Sequence, residues 1–426
     1  MLDVKLLRES PEVIRNDLKK RGLTDKLKLV DDAIEDDRLW RRSKSKVEEV
    51  RHRQNQITLE IAKMKSSGAN IEAKLREVEG VPDQIRELET KTSEAHSRVE
   101  RTLRSLPNIL HESVPVGKDE NDNVPLRTWG APRKFEFKPK DHIDLLTELG
   151  MVDVERAAKI SGARFYFLKG DALKLEQSIM RYALDFLSER GLVPVGPPLM
   201  MKRAAYEGVV DIADFGPVIY KVEGEDLYLI ATSEHPLIAM HMDEILKEES
   251  LPLKYCGFSP NFRVEAGAHG KDTKGIFRTH QFYKVEQIIF SKPEESWALH
   301  EFLISNSEEI FKSLGLHHRV VNICTGDIGT VAAKKYDLEA WLPAQGRYRE
   351  MVSCSNVTDY QARRLKIRFK EKKGGEIRLV HTLNSTAVTT RALVAMVENY
   401  QRGDGSIDVP KPLVPYMGGV ERVGRR

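Results

Sequence analysis

Cysteine is scarce in this 426-residue chain, which has only Cys256, Cys324 and Cys354. The three lie far apart and form neither a CxxC pair nor a cluster with histidine. This pattern argues against a framework of disulfide bonds and against a structural zinc site. We therefore expect no zinc.

Long apolar runs are also missing. No stretch approaches the roughly 20 apolar residues that a membrane-spanning helix needs. The first 20 residues mix acids with bases and lack the apolar segment of a signal peptide. We therefore expect a cytoplasmic protein with no membrane partner.

The common sequence motifs for nucleotide binding are absent as well. The chain has neither a GxGxxG segment nor a GxxxxGK[ST] loop, so any ATP site must be built in another way. The net charge is only +3, from 68 Lys and Arg against 65 Asp and Glu. Binding of RNA would therefore depend on local basic patches, and we expect no DNA partner.

The first quarter of the chain has a helical apolar pattern. Residues at steps of three and four from Val47 to Met64 form a heptad seam, and Ile71–Leu88 approximates the same spacing. The turn-forming segment Ser66–Asn70 separates the two. The sequence predicts an antiparallel helical hairpin over Leu27 to about Leu106, with arms about 60 Å long. Pro82 is expected to kink the returning helix.

Two uses of this hairpin are open. Its outer faces carry basic residues such as Lys44, Arg51, Arg53 and Lys63, which can contact RNA phosphates. Acidic residues are interleaved with them, so a solvated surface explains these charges nearly as well. A dimerisation coiled coil or a spacer also fits the periodicity.

Length and composition predict two domains. Residues 1–110 form the helical N-terminal domain, 111–140 form a linker rich in Pro, Gly and Asn, and 141–426 form a second domain. The second domain begins with an amphipathic helix at Leu173–Arg190 and continues with several strand-like runs that follow one another directly. This order predicts an antiparallel sheet flanked by helices, and hence an α+β fold class. The strand-like runs are Leu227–Ala231, Tyr283–Phe290, His318–Ile323 and Glu376–Val380, and the further helices are Glu234–Glu248, Glu294–Leu314 and Ala392–Arg402.

Candidate chemistry lies in three separated segments. The first, Gly191–Met200, is a helix end before an extended run with prolines, and by itself indicates little more. In the second, alternation along a strand would place Arg263 beside Glu265, and Phe282 beside Glu286. An arginine fork suits an α-phosphate, an aromatic ring can stack on adenine, and a carboxylate can bind an ammonium group. A surface ion pair is the alternative for an isolated Arg-x-Glu.

The third segment passes from a strand end at His381 into a helix whose first turn contains Arg391. A guanidinium group near a helix N-terminus suits the β- and γ-phosphates of ATP. The alternative is an arginine that pairs with a carboxylate of the sheet.

In this order, the three segments resemble motifs 1, 2 and 3 of the class II aminoacyl-tRNA synthetases. Other segments narrow the resemblance to the seryl-tRNA synthetases. They are Thr232-Ser-Glu234, the motif 2 loop Gly267–Gly275, His280–Gln287, Tyr348–Asn356 and Val414–Gly419. That family also has the helical hairpin, so the resemblance covers essentially the whole chain.

The resemblance implies activation of L-serine with ATP and transfer of serine to the 3′ end of tRNA(Ser), and it leaves tRNA(Sec) open as a second acceptor. It implies catalytic roles for Arg263, Glu286 and Arg391. The residues implied to bind L-serine are Thr232, Ser233, Glu234, Glu286 and Thr386. Those implied to bind ATP are Arg263, Val264, Glu265, Thr279, Phe282, Glu350, Met351, Val352, Ser353 and Arg391. The resemblance also implies that Glu350 and Ser353 bind Mg²⁺.

The family further implies a homodimer with motif 1 at its interface. The helical arm and the motif 2 loop are implied to bind tRNA(Ser), by shape and backbone more than by base edges. An amino acid:carrier-protein ligase with the same core would lack the arm. The rival from another class is a catalytically silent paralogue that binds RNA or regulates.

One spacing departs from the family. Asn384 and Arg391 are seven residues apart, where we expect eight. Ser385 is therefore an alternative to Thr386 in the serine pocket.

Overall fold

The computed structural model describes residues 1–210, 216–265 and 275–424. The chain divides into two compact units, residues 1–109 and 110–426. Nearly all of the predicted motif 2 loop, residues 267–274, lies outside the described residues.

The main elements of the first unit are all helices. A 40-residue helix, Leu27–Ser66, is followed by a short turn and a returning arm, as the heptad pattern predicted. Asp37 is buried and receives hydrogen bonds from Arg8 and Arg41, so the base of the long helix is tied by ion pairs. The helices of this unit are Val4–Glu9, Pro11–Lys20, Leu27–Ser66, Glu72–Val78 and Val81–Ser105.

The seam of the hairpin is confirmed on the outgoing arm and fails near the tip of the returning arm. Val47, Val50 and Ile57 are at most 7% exposed, whereas Leu75 is 51% exposed. The returning arm is broken rather than kinked, because Gly80 adopts a left-handed φ of +83°. Pro82 then sits in the first turn of a new helix, where its missing N–H leaves no bond unmade.

The second unit is built on one eight-stranded sheet. Its strands in chain order are β1 Val124–Trp129, β2 Val193–Val195, β3 Leu253–Phe262, β4 Gln281–Ser291, β5 His318–Asn322, β6 Lys334–Leu342, β7 Arg347–Thr358 and β8 His381–Thr389. In space the order is β1-β5-β6-β7-β8-β4-β3-β2. Every pair is antiparallel except β2 with β3. The predicted α+β fold class is confirmed.

The predicted linker 111–140 needs correction. Val124–Trp129 is the edge strand β1 and pairs with β5. Leu110 and Val114 are buried in an apolar cluster with Val321 of β5 and with Ile323, the residue after that strand. A proline-rich composition hid this strand because Pro125 is tolerated at a sheet edge, where a missing N–H costs little.

Helices cover the sheet and contribute to its main core. Leu175 and Ile179 of one helix and Leu303 and Phe311 of another are fully buried. The predicted helix Glu234–Glu248 was wrong in length, since it ends at Ala239 and a strand, Ile245–Lys247, follows. Within its described residues, the helices of this unit are His142–Glu148, Val154–Ser161, Asp171–Glu189, Arg203–Val209, Glu234–Ala239, Ser296–Ser313, Tyr360–Leu365 and Thr390–Tyr400.

Short strands complete the second unit. Ile245–Lys247, Arg368–Lys370 and Ile377–Leu379 form a three-stranded sheet, and the two-stranded pairs are Val152–Asp153 with Phe167–Leu168, Met200–Met201 with Tyr228–Leu229, and Ile407–Asp408 with Arg422–Val423. Among the helices of the described ranges, none has the length and apolar character needed to cross a bilayer.

Candidate active site

A cavity of about 580 Å³ lies against one face of the large sheet. Strands β4, β6, β7 and β8 supply its floor, and the residues after β3 supply one wall. The predicted site residues that line it are Thr232, Glu234, Arg263, Glu265, Thr279, Phe282, Glu286, Glu350, Met351, Ser353, Thr386 and Arg391. Segments distant in sequence therefore meet at one place.

Three predicted residues do not line the cavity. Ser233 is fully buried, and its hydroxyl donates to the carbonyl of Gly257 at 3.4 Å. The backbone N–H of Val264 donates a hydrogen bond to the carbonyl of Val218. Val352 is 1% exposed and belongs to the core on the other side of the sheet. Their neighbours Glu234, Arg263 and Ser353 line the cavity, and for Ser353 this follows from alternation along strand β7.

One end of the cavity is acidic. Glu286 accepts hydrogen bonds from Lys284 at 2.7 Å and from the Thr386 hydroxyl at 3.1 Å. Glu234 accepts from the Asn384 amide at 3.2 Å. Burial, together with the charge of Glu286, raises the pKa of Glu234 to about 7. Two carboxylates beside a hydroxyl and an amide suit a small ligand with an ammonium group.

Of Thr386 and Ser385, only Thr386 lines the cavity. Thr386 points into the cavity, whereas Ser385 is fully buried and lies 3.4 Å from the hydroxyl of Ser307 on the helix behind the sheet. The segment before Arg391 is a continuous strand with an irregularity between Thr386 and Val388, and the helix begins at once. Thr386 and Arg391 therefore both reach the same cavity despite the short spacing.

The other end of the cavity is basic. Burial and the positive charge of Arg391 lower the pKa of Arg263 from its ordinary value. Arg263 lies over the ring of Phe282 at 5.1 Å, and its Nε donates to the carbonyl of Ala231. Two guanidinium groups that repel each other in a partly enclosed space indicate an anion site, because a bound anion would relieve the repulsion.

Arg391 is held by its surroundings. Its Nη1 donates to the carbonyl of Glu350 at 3.0 Å, and its Nε donates to the carbonyl of Phe277 at 3.4 Å. The Phe277 ring lies 4.6 Å from this guanidinium group and 4.0 Å from that of Arg349. The aromatic ring therefore separates and orients two cations.

Glu265 and Thr279 line the cavity beside the basic end. The strand β3 ends at Phe262, so strand alternation does not explain why Arg263 and Glu265 share this space. Glu265 instead has a left-handed φ of +53° and accepts a hydrogen bond from Arg278 at 3.0 Å. The predicted pairing of positions was right, and the predicted backbone was wrong.

Oxygen donors cluster on β6 and β7. Glu350 is about half exposed to the cavity, and the charges of Arg391 and Lys335 hold its pKa below the ordinary range against the effect of burial. Ser353 is its neighbour on the same face and forms a hydrogen bond with Asp337. One carboxylate oxygen of buried Asp337 has no hydrogen-bond partner. A hard divalent cation such as Mg²⁺ prefers donors of this kind, so the residues fit it.

Sequence reasoning missed several residues of the cavity. Lys284 lies two positions before Glu286 on β4, so strand alternation could have identified it. Asn384 and Phe277 lie within the segments already singled out. Asp337 is not in the cavity lining but pairs with Ser353, and it gave no signal because its position depends on the pairing of β6 with β7.

An anion site, an aromatic ring, a carboxylate pocket and a cluster of oxygen donors thus share one face of an antiparallel sheet. This fold and site define a class II aminoacyl-tRNA synthetase. The family model described as the tRNA synthetase class II core domain (G, H, P, S and T) matches residues 220–400, and that of the seryl-tRNA synthetase N-terminal domain matches residues 1–110.

Relatives that match over nearly the whole chain show which family of this class the protein belongs to. A serine–tRNA ligase of Methanocella arvoryzae is 52% identical over 423 residues, covering 99% of this chain and 100% of the relative. The crystal structure of seryl-tRNA synthetase from Pyrococcus horikoshii complexed with ATP is similar at a TM-score of 0.96 and 50% identity, over 100% of both chains. That of the cytoplasmic enzyme from Naegleria fowleri with AMP has a TM-score of 0.90 and 38% identity, over 100% of this chain and 99% of the other. The chain belongs to the seryl-tRNA synthetase family, and the predicted family and class of enzyme are confirmed.

Proposed function

We propose that this protein activates L-serine with ATP and then transfers serine to the 3′ end of tRNA(Ser). The observation that carries the proposal is the division of one cavity into an acidic and a basic end. Glu234 and Glu286 provide charge for an ammonium group, while Arg263 and Arg391 provide charge for phosphates. Serine and ATP are the two ligands that these ends fit.

In the proposed reaction the carboxylate of serine attacks the α-phosphorus of ATP. A new P–O bond forms, the bond to the β-phosphate oxygen breaks, and pyrophosphate leaves. Such a displacement needs positioning and neutralisation of charge more than a protein nucleophile. Arg263 neutralises the α-phosphate, Arg391 the departing phosphates, and the Phe282 ring stacks on adenine.

Serine is held through both of its polar ends. Its ammonium group binds Glu234 and Glu286, with Thr232 nearby, and its hydroxyl meets Glu286 and Thr386. Alanine would leave these buried partners unpaired, which costs more than the loss of a contact in water. Selectivity against alanine therefore follows from the same polar residues.

Glu350 and Ser353 are the residues that would hold Mg²⁺. The bound ion supplies further neutralisation of the phosphate charge. The partnerless oxygen of Asp337 behind Ser353 supports this assignment.

The helical hairpin is proposed to bind tRNA(Ser), and tRNA(Sec) stays open as a second acceptor. Basic residues on its exposed faces support contact with phosphates, and ion pairs such as Arg53–Glu77 occupy part of that charge. The predicted homodimer and cytoplasmic location stay predictions. Light scattering coupled to gel filtration tests the dimer.

Serine-dependent exchange of pyrophosphate into ATP tests the proposal. We expect exchange with serine and Mg²⁺, and little with threonine, alanine, glycine or cysteine. Charging of tRNA(Ser) transcripts then tests the second step. Folded protein that exchanges with no amino acid would instead favour the silent, RNA-binding paralogue.

A further inference from the structure

His142 and Glu398 form a buried pair outside the cavity lining. The side chain of His142 is 2% exposed and that of Glu398 is not exposed. His142 Nδ1 lies 3.0 Å from Glu398 Oε1 and 3.1 Å from Asp141 Oδ1. His142 begins one helix of the second unit, and Glu398 lies near the end of the helix that carries Arg391.

The hydrogen bond at the second ring nitrogen of His142 shows which nitrogen carries the ring proton. His142 Nε2 accepts the backbone N–H of Ile276 at 3.3 Å. A nitrogen that accepts an N–H carries no proton, so the ring proton lies on Nδ1 and is donated to Glu398. Glu398 also accepts from the backbone of Ala344 and of His142 itself.

Metal binding is the competing role for this cluster. Within the described residues, Asp141, His142 and Glu398 form a group of three side chains whose ligand atoms lie close enough to hold a metal ion. Their atoms, however, already bond to N–H groups of the chain, and Asp141 caps its own helix through Ile143. The cluster is therefore complete as a hydrogen-bonded anchor.

Ile276 connects the His142–Glu398 pair to the cavity, because its backbone N–H bonds to His142 and the residue itself lines the cavity. Ile276 and Phe277 both line the cavity. The carbonyl and ring of Phe277 both contact Arg391, and the ring also contacts Arg349. One residue thus separates the bond to His142 from the surface on which Arg391 rests.

Gly275 shows how tight this contact is. Its φ is +97°, and a Cβ there would lie 2.6 Å from His142 Nε2. Any side chain would therefore be strained by the backbone and would also push the imidazole away. The close approach of backbone to ring is possible only with glycine.

We infer that His142, braced by Glu398, is a positioning residue for ATP binding. It holds the backbone of Ile276, and thereby holds Phe277 against Arg391. The inference rests on the proposed role of Arg391 in holding the phosphates of ATP. It predicts that loss of the hydrogen bond from Ile276 to His142 weakens the binding of ATP and leaves the binding of serine unchanged.

Two substitutions separate the two bonds of the ring. His142→Asn keeps a donor near Glu398 and removes the acceptor for Ile276, whereas His142→Gln places an amide oxygen where Nε2 lies. We expect His142→Asn to raise the KM for ATP about tenfold, because a buried N–H loses its partner. His142→Gln should stay near the wild type. Gly275→Ala should resemble His142→Asn.

The matched control is His318→Asn, at another buried histidine whose Nδ1 donates to the Leu316 carbonyl and which does not line the cavity. The KM for ATP and for serine would be measured by pyrophosphate exchange, the Kd of Mg-ATP by calorimetry, and Tm by scanning fluorimetry. A purely structural role lowers Tm in His142→Asn and His318→Asn alike and leaves the KM for ATP unchanged.

Calorimetry distinguishes a failure of the proposed function from a failure of the positioning role inferred for His142. If the wild type binds Mg-ATP but shows no exchange, the proposed function fails, and weaker binding by His142→Asn would still support the anchor. Equal binding of Mg-ATP by the wild type and His142→Asn would overturn the anchor, as would equal losses in His142→Asn and His142→Gln.

Discussion

At the scale of single residues, the cavity contains charges that are unfavourable without a ligand. Burial and the charge of Arg391 lower the pKa of Arg263, and burial and the charge of Glu286 raise the pKa of Glu234 at the acidic end. Each repulsion is a cost to folding that a bound substrate of opposite charge would remove. Sites that bind charged ligands are often unstable in this way.

Arg391 offers the sharpest test of the basic end. We expect Arg391→Ala to reduce the rate of adenylate formation by at least about 10²–10³-fold, since charge developing on the phosphates loses its partner. Arg347→Ala is the control, because Arg347 is an exposed arginine on β7 outside the cavity lining. Near-normal exchange by Arg391→Ala would contradict the phosphate role.

Glu234 predicts how serine binding depends on pH. Its pKa of about 7 means that the empty pocket gains a proton as the pH falls below neutrality. Only the ionised form attracts the ammonium group, so the KM for serine should rise about tenfold from pH 8 to pH 6. Exchange kinetics over this range measure the effect, and Glu234→Gln should have a high KM that varies little with pH. A KM for serine that stays constant from pH 8 to pH 6 in the wild type would refute the role of ionised Glu234 in serine binding.

The same group predicts a stability difference of known sign. The folded pKa lies above the ordinary value of 4.5, so the cost of the ionised carboxylate is present above about pH 7 and vanishes as the pH falls towards 4.5. Glu234→Gln should therefore have a higher Tm than the wild type at pH 8. The difference should shrink at acidic pH, which thermal melts in matched buffers can measure.

At the scale of elements, the hairpin depends on a narrow seam. Ile57 is 4% exposed on the long helix, and Leu59, two residues on, is 64% exposed. Ile57→Ala should lower the free energy of unfolding of the hairpin by about 2–4 kcal/mol. Leu59→Ala should change it by less than about 0.5 kcal/mol. Urea unfolding of the full chain, followed by circular dichroism, compares the two, and equal losses would contradict the seam.

Strand β8 shows why a spacing in sequence is a weak guide to geometry. From Asn384 the chain stays extended to Thr389, with an irregularity after Thr386, and the helix that contains Arg391 begins at Thr390 with no turn between. The irregularity adjusts which side chains face the cavity. Sequence comparison alone could not decide between Ser385 and Thr386, since either lies within one residue of the required face.

At the scale of the whole molecule, the two units predict separable activities. Residues 110–426 contain every residue that lines the cavity. We expect a protein of residues 110–426 to retain serine-dependent pyrophosphate exchange and to lose charging of tRNA(Ser). The full-length chain with Arg391→Ala is the opposite control, as it should bind tRNA(Ser) and fail in exchange. Undiminished charging by the shortened protein would refute the role of the hairpin.

The elements that could be predicted from the sequence are those whose signals are local. Heptad spacing predicted the long helices, alternation predicted strands such as Tyr283–Phe290, and ordered motifs predicted most residues of the cavity. These signals persist because each depends on neighbours a few residues away. The helix predicted at Glu234–Glu248 was wrong because packing against another strand, Arg368–Lys370, overrode local preference.

Which side chains come into contact depends on long-range packing of the folded chain. Asp337 lies behind Ser353 because β6 pairs with β7, and His142 reaches Ile276 across 134 positions of sequence. The charge of Glu234, at the start of a helix, depends on burial and on Glu286, which lies on strand β4. No periodicity encodes such encounters, since they arise from chain closure over long distances, and their energies depend on the water that folding excludes.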